Sequence, residues 1–181
     1  MGSTYRTEGI ILKRLSVGEA DRILTIFTKH YGKIRAIAKG VRKITSRKGG
    51  NVELFNHVTL FLVRGRNLDI LTEAQALNTF KDWRKDLKKV GLAYYLCELV
   101  DRLTPEEQEN RAVFDLLKKS LSQTGKKKPL DLVRGFEENL LEELGFGIPE
   151  ALKSRPGSLK DYIETIIEAK MKSPKILHEF N

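Results

Sequence analysis

Gly32-Lys33-Ile34-Arg35-Ala36-Ile37-Ala38-Lys39 alternates cationic and apolar side chains with a period close to two. A strand sends successive side chains to opposite faces. Ile34, Ala36 and Ala38 therefore share one face, and Lys33, Arg35, Ile37 and Lys39 the other. Small apolar residues fill an interior while a basic row lines the outside. Working outward, Glu8–Lys13, Arg22–Thr28, Val58–Val63 and Leu68–Ala74 are further short runs rich in β-branched residues. Breakers separate them at Val17-Gly18-Glu19, Tyr31-Gly32, Gly49-Gly50-Asn51 and Arg64-Gly65-Arg66-Asn67. Five short strands with tight turns and no helix between them predict a small closed or nearly closed barrel, which leaves no exposed edge.

The same region holds the charge. The 181 residues carry a formal net charge of +9. Residues 1–80 contribute 14 Lys/Arg against 6 Asp/Glu, and residues 81–181 contribute 19 against 18. Between Asp21 and Glu53 stand nine cations and no acidic side chain. A field of one sign at that density attracts polyanions. The basic row of residues 33–39 runs into Arg42-Lys43-Ile44-Thr45-Ser46-Arg47-Lys48-Gly49-Gly50, a polar, glycine-ended loop expected to be flexible enough to fold onto a phosphate backbone. Arg64 and Arg66, either side of Gly65 in a hairpin turn, offer a second grip. Phe27, Tyr31 and Phe55 lie near the row; the two phenylalanines read as core and Tyr31 as the exposed stacking candidate. No base-reading pattern is present, so binding independent of sequence is expected.

Beyond residue 80 the period becomes helical. Trp83, Leu87, Val90, Tyr94 and Cys97 form one stripe, and Leu92, Leu96, Leu99 and Leu103 a second, which predicts a helix buried on most of its surface and ended by Thr104-Pro105. A second helix is expected from an Asn110 N-cap to Gly125, and a third from Pro129 to Gly145. Residues 147–157 form a connector. Ser158 and Asp161 suggest a capping box for a fourth helix. The domains are thus expected at 1–80 and 81–181.

The search for catalysis finds little. His30, His57 and His178 fall in no metal-binding pattern and read as surface or turn residues. Cys97, the one cysteine, sits among apolar helical neighbours and reads as inert core. It excludes an internal disulfide and a four-cysteine zinc site. Gly145-Phe146-Gly147 follows a helix and is no dinucleotide loop, and no Walker-type sequence is present. Glu19 and Asp21 read as an acidic turn that orients Arg22. No catalytic residue, metal ligand or cofactor is expected. No apolar run is long enough for a membrane span, and no secretory leader is expected, which makes the cytoplasm the expected compartment.

Several stretches resemble the RecO family of bacterial recombination-mediator proteins of DNA repair: Glu8-Gly9-Ile10-Ile11-Leu12-Lys13, the run from Gly18 to Phe27 and Thr28, the run from Gly32 to Arg42, Leu92–Leu99, Phe136–Phe146, and the tail around Lys172-Ser173-Pro174-Lys175-Ile176-Leu177. The resemblance implies an α+β protein: an N-terminal five-stranded OB-fold β-barrel followed by an all-α helical domain. It implies non-specific binding of single- and double-stranded DNA, annealing of complementary strands and help in loading the RecA recombinase onto coated single strands, near the nucleoid. Lys33, Arg35, Lys39, Arg42, Lys43, Arg47, Lys48, Arg64 and Arg66 would meet DNA. Implied partners are RecR, RecF in some systems, and the acidic C-terminal tail of the single-stranded-DNA-binding protein, for which Arg134 resembles a family arginine. Many relatives place a segment, often with a zinc motif, where residues 147–157 stand here, so this chain resembles a short form without that segment. A protein–protein adaptor working through its helices and an RNA-binding barrel are the rival readings.

Overall fold

A computed structural model describes residues 2–173. The motif at Lys172–Leu177 and His178 lie wholly or mostly outside the described residues. The chain forms two compact units, one built from the chain up to Thr79 together with Pro105–Phe114, the other from Phe80–Thr104 and the described residues from Asp115 onward.

The first unit holds β1 (Thr4–Val17), β2 (Asp21–Thr28), β3 (Gly32–Ala38), β4 (His57–Val63) and β5 (Asp69–Asn78). They close into a barrel in the order β1-β2-β3-β5-β4. Neighbours are antiparallel except β3 and β5, which pair parallel through Ala36–Asp69 and Ile37–Ile70. This is the expected OB-fold. The 14-residue β1 is longer than the run that announced it, because its two halves serve different partners: Thr4–Ile10 pair with β4, and Gly9–Val17 with β2. A register shift between Ile11 and Lys13 bends it from one to the other. Gly9 lies where both pairings overlap. A Cβ there would come within 2.6 Å of Ile26 and 2.9 Å of Leu60, so only glycine lets the strands approach.

Alternation fills the interior. Ile34, Ala36 and Ala38 of β3 join Ile11, Leu24, Ile26, Val58, Leu60, Leu62 and Leu71 in one buried cluster. Truncating one of its leucines to alanine would cost about 2–5 kcal/mol. Val41 and Val52 enter the same cluster from the long connection between β3 and β4. That connection is a series of hydrogen-bonded turns and departs from the flexible loop expected. Lys43 donates to Gly40, Ser46 to Lys43, and Asn51 and Val52 to Lys48. The Asn56 amide donates to the carbonyls of Gly50 and Asn51.

Pro105–Phe114 packs on the barrel although it lies beyond the expected boundary at residue 80. Glu107 N–H donates to the Lys33 carbonyl at 2.9 Å, Glu106 bridges Lys33, and the Phe114 ring meets His57 with centroids 5.8 Å apart. Gly32 has φ +64, and a Cβ on it would stand 2.1 Å from the Gln108 carbonyl oxygen. Glycine is required there on both counts.

The second unit holds α1 (Leu87–Leu103), α3 (Pro129–Glu143), the single turn α4 (Glu150–Lys153) and α5 (Lys160–Ile167); α2 (Arg111–Gln123) begins in the first unit and continues into the second. Asp86 caps α1, accepting from Lys88 and Lys89 N–H. The helix therefore starts after Trp83, and the stripe from Trp83 to Cys97 is not one face: Leu87 and Tyr94 are exposed. The Leu92, Leu96, Leu99 and Leu103 stripe is buried as expected. Trp83 packs in the preceding turn, stacked on Phe80 and donating its indole N–H to Leu121. Asn110 caps α2 through a 3.0 Å bond from Val113 N–H. The capping box at Ser158 and Asp161 does not form. Ser158 Oγ accepts from Lys160 N–H and donates to Glu137. Glu137, fully buried, also accepts from Tyr95 OH at 2.6 Å and Leu159 N–H at 2.7 Å. Burial pushes its carboxyl above the usual range against the pull of those donors. Among the described residues no helix is long and apolar enough to cross a membrane, and no cluster of three or more potential metal ligands occurs.

Candidate nucleic-acid interface

The candidate cations lie on the outer face of β3 and on the connection after it. Arg35, Lys39, Arg42, Lys43 and Arg47 are exposed. Among the described residues no carboxylate pairs with any of them. Lys48 is half-buried, its Nζ 3.4 Å from the Leu71 carbonyl. Lys33 departs from the expected row. It is 8% exposed, because Glu106 and Glu107 run alongside its strand. Alternation assigned Lys33 to the outer face correctly but could not reveal that a segment seventy residues further on covers it.

The start of the basic loop is fixed by a carboxylate. Asp21 Oδ1 accepts from Gly40 N–H at 2.7 Å, Arg42 N–H donates to the Ala20 carbonyl at 2.9 Å, and the Arg42 guanidinium donates to the Gly18 carbonyl at 3.2 Å. These bonds join the β1–β2 turn to the exit of β3 and hold Lys39 and Arg42 at fixed stations. Asp21 thus positions the loop and does not orient Arg22. Arg22 instead pairs with Glu53 at 3.4 Å, and Glu53 also takes Arg14. One acidic residue converges on two cations and leaves the exposed set beyond it.

Between the loop and β5 lies an open depression, with Lys39, Arg47, Lys48 and Asn51 on one side and Thr72, Glu73 and Ala74 on the other. Asn51 ties the two sides. Its amide donates to Arg47 O, and its oxygen accepts from Ala76 N–H. Sequence reading took Asn51 only as part of a breaker; an amide next to paired glycines was the available sign of a side chain that builds a turn.

Arg64 is exposed and serves the fold as well. Its guanidinium lies 4.4 Å from the Tyr5 ring centroid and 5.1 Å from that of Tyr31, with Asp69 at 3.8 Å. Tyr31, expected as an exposed stacking surface, is half-buried against Tyr5 with centroids 4.6 Å apart. Burial, and then its hydrogen bond to Asp69, push the Tyr5 phenol upward. Arg66 is exposed in the β4–β5 turn. Phe27 and Phe55 are core, as expected.

His57 is buried, with Nε2 2.8 Å from Glu8 Oε2, and does not sit on the surface. Lys29 approaches the other Glu8 oxygen at 3.2 Å. Burial alone would raise the Glu8 carboxyl; the hydrogen bonds from His57 and Lys29 outweigh it and hold the carboxyl below the usual range. His30 is exposed and 3.4 Å from Glu109. Cys97 is fully enclosed, and burial pushes its thiol far up. Arg134 is engaged inside its own unit. Its Nε donates to Glu138 at 2.6 Å, and its terminal nitrogens donate to the carbonyls of Leu152 at 2.6 Å and Gly157 at 3.1 Å. It pins the connector of residues 147–157.

Two family models match the chain: one described as Recombination protein O N terminal over residues 1–80, the other as Recombination protein O C terminal over residues 84–155. The chain is 46% identical over 143 residues to DNA repair protein RecO of Roseiflexus sp. (strain RS-1), which covers 78% of this chain and 50% of that one. It is 38% identical over 144 residues to DNA repair protein RecO of Symbiobacterium thermophilum, covering 78% and 57%. The protein of the same name from Pelotomaculum thermopropionicum is likewise 38% identical, over 142 residues. The chain spans about half the length of the curated relatives it matches.

Proposed function

The chain belongs to the RecO family, and from that premise we propose that it acts in DNA repair and recombination as a mediator that makes no covalent change. Its barrel holds DNA phosphates without regard to sequence, in single and double strands, and brings complementary strands together. The observation that supports this best is the set of five exposed cations, Arg35, Lys39, Arg42, Lys43 and Arg47, without a carboxylate partner among the described residues. Lys48, Arg64 and Arg66 flank them. Annealing follows from the physics: strands whose phosphates are neutralised no longer repel each other, and each bound cation releases counterions.

The family reading extends this to loading RecA onto coated strands, with RecR, the tail of the single-stranded-DNA-binding protein and, in some systems, RecF as partners in the cytoplasm. Arg134 enters that reading with a condition. An acidic tail could claim its guanidinium only by displacing the connector carbonyls it now holds. The test is a salt-titrated binding and annealing assay on the full chain, with matched DNA and RNA strands in competition. Annealing of complementary strands that fades with salt is expected. Binding with a salt dependence near zero would refute the proposal, and a marked preference for RNA would move it to the rival class.

A further inference from the structure

Away from the cationic loop, the outer faces of β1, β4 and β5 carry a second depression, lined by Thr4, Tyr5, Arg6, Phe61, Thr72 and Glu73. Phe61 stands at its centre, an aromatic ring 36% exposed on a strand whose neighbours Leu60 and Leu62 point into the core. A lone exposed apolar side chain needs no explanation, but this one is built in. Arg6 faces it across the β1–β4 pairing, with its guanidinium 5.4 Å from the ring centroid, and Glu73 faces it across β4–β5. The β4–β5 register shifts between Phe61 and Leu62, and the extra residue, Thr72, donates its hydroxyl to the Phe61 carbonyl at 3.0 Å. Such bulges re-aim side chains and are frequent beside functional sites. Thr72 and Glu73 also line the basic depression that holds Lys39, Arg47 and Lys48. The two depressions therefore adjoin along β5, one offering cations and the other a ring with a guanidinium over it.

We propose that Phe61 and Arg6 form a stacking site for an unpaired base of a strand whose phosphates lie on Lys39 and Arg47. Phosphate and base of one nucleotide need neighbouring cationic and planar surfaces, which is the juxtaposition found here. Aromatic rings and guanidinium planes are the surfaces on which unpaired bases stack. A paired base, stacked within its duplex, offers no free face. The site therefore distinguishes single strands from duplexes, which cations alone do not. The inference rests on the proposed DNA-binding role and adds to it a contact with bases.

The full chain is titrated at fixed salt with a 20-mer of thymidylate, with a 20-mer of abasic phosphodiester and with a 20-base-pair duplex. Phe61→Ala should weaken thymidylate binding about 5- to 150-fold, the usual range for removing one stacking surface. It should leave the abasic strand, the duplex and the salt slope unchanged. Phe61→Trp should restore affinity, and the added indole emission should be quenched by thymidylate and not by the abasic strand. Equal affinity of wild type and Phe61→Ala for thymidylate overturns the inference. So does an equal loss on all three probes, which would mark Phe61 as a support of the barrel, and so does an unquenched indole. Failure of the underlying role shows separately, as a flat salt response of the wild type on every probe, and would remove both.

Discussion

Replacing Arg35, Lys39 and Arg42 together by alanine tests the cationic surface quantitatively. For single strands the slope of log K against log salt is about −0.7 per phosphate neutralised. The five exposed cations therefore set a wild-type slope of about −3.5, so raising salt from 50 to 200 mM should weaken binding roughly a hundredfold. The triple variant keeps Lys43 and Arg47, which gives a slope of about −1.4 and a weakening of roughly sevenfold over the same interval. Lys33→Met is the internal comparison. Lys33 belongs to the same strand and the same outer row but is covered by residues 106 and 107. Its replacement should leave the slope at the wild-type value even if thermal stability changes. The assay is fluorescence anisotropy of a labelled single strand at four or five salt concentrations. A triple variant with an unchanged slope, or a Lys33→Met variant that loses slope as much as any exposed position, would refute the reasoning.

Gly32→Ala should destabilise the barrel by more than the roughly 1–2 kcal/mol that a left-handed backbone costs a residue with a Cβ, because the added methyl also meets the Gln108 backbone; urea unfolding measures it, and a loss below 1 kcal/mol would contradict the contact. Glu8, held below the usual carboxylate range, contributes stability that is complete above its unfolded pKa and lost as pH falls through its lower folded value. Thermal melts of wild type should therefore drop through the acid range below about pH 4.3, and Glu8→Gln should flatten that drop. Arg134→Ala frees the Leu152 and Gly157 carbonyls, and limited proteolysis should then cut within residues 147–157 faster than in wild type. Unchanged cleavage would show that the arginine does not restrain the connector.

Strand periodicity was most legible in the three strands whose whole length carries the β-branched, alternating pattern. β2, β3 and β4 begin and end within a residue or so of their sequence signatures. β1 was underestimated because its ends carry Thr4, Arg6, Arg14 and Ser16, polar residues that face solvent. The exposed cations could be named from spacing, because exposure follows from a short strand and a turn-rich loop. The burial of Lys33, the clamp between Asp21 and Gly40, and the engagement of Arg134 were hidden, since each depends on a partner 18 or more residues away in the chain. The stripe from Trp83 to Cys97 misled for two reasons: Asp86 starts the helix after Trp83, which packs in the preceding turn, and within the helix Leu87 and Tyr94 fall on its exposed side.

The covering of Lys33 by Pro105–Phe114 has a consequence for synthesis. A ribosome delivers all five barrel strands by Asn78, but the piece that completes the unit ends only at Phe114. At about 5–20 residues per second, the nascent chain waits several seconds with the outer side of β3 uncovered. In that interval Gly32, Lys33 and the ring-facing side of His57 are open to water and to whatever lies near the exit tunnel. The order of translation thus gives this barrel a transient surface that the finished protein lacks.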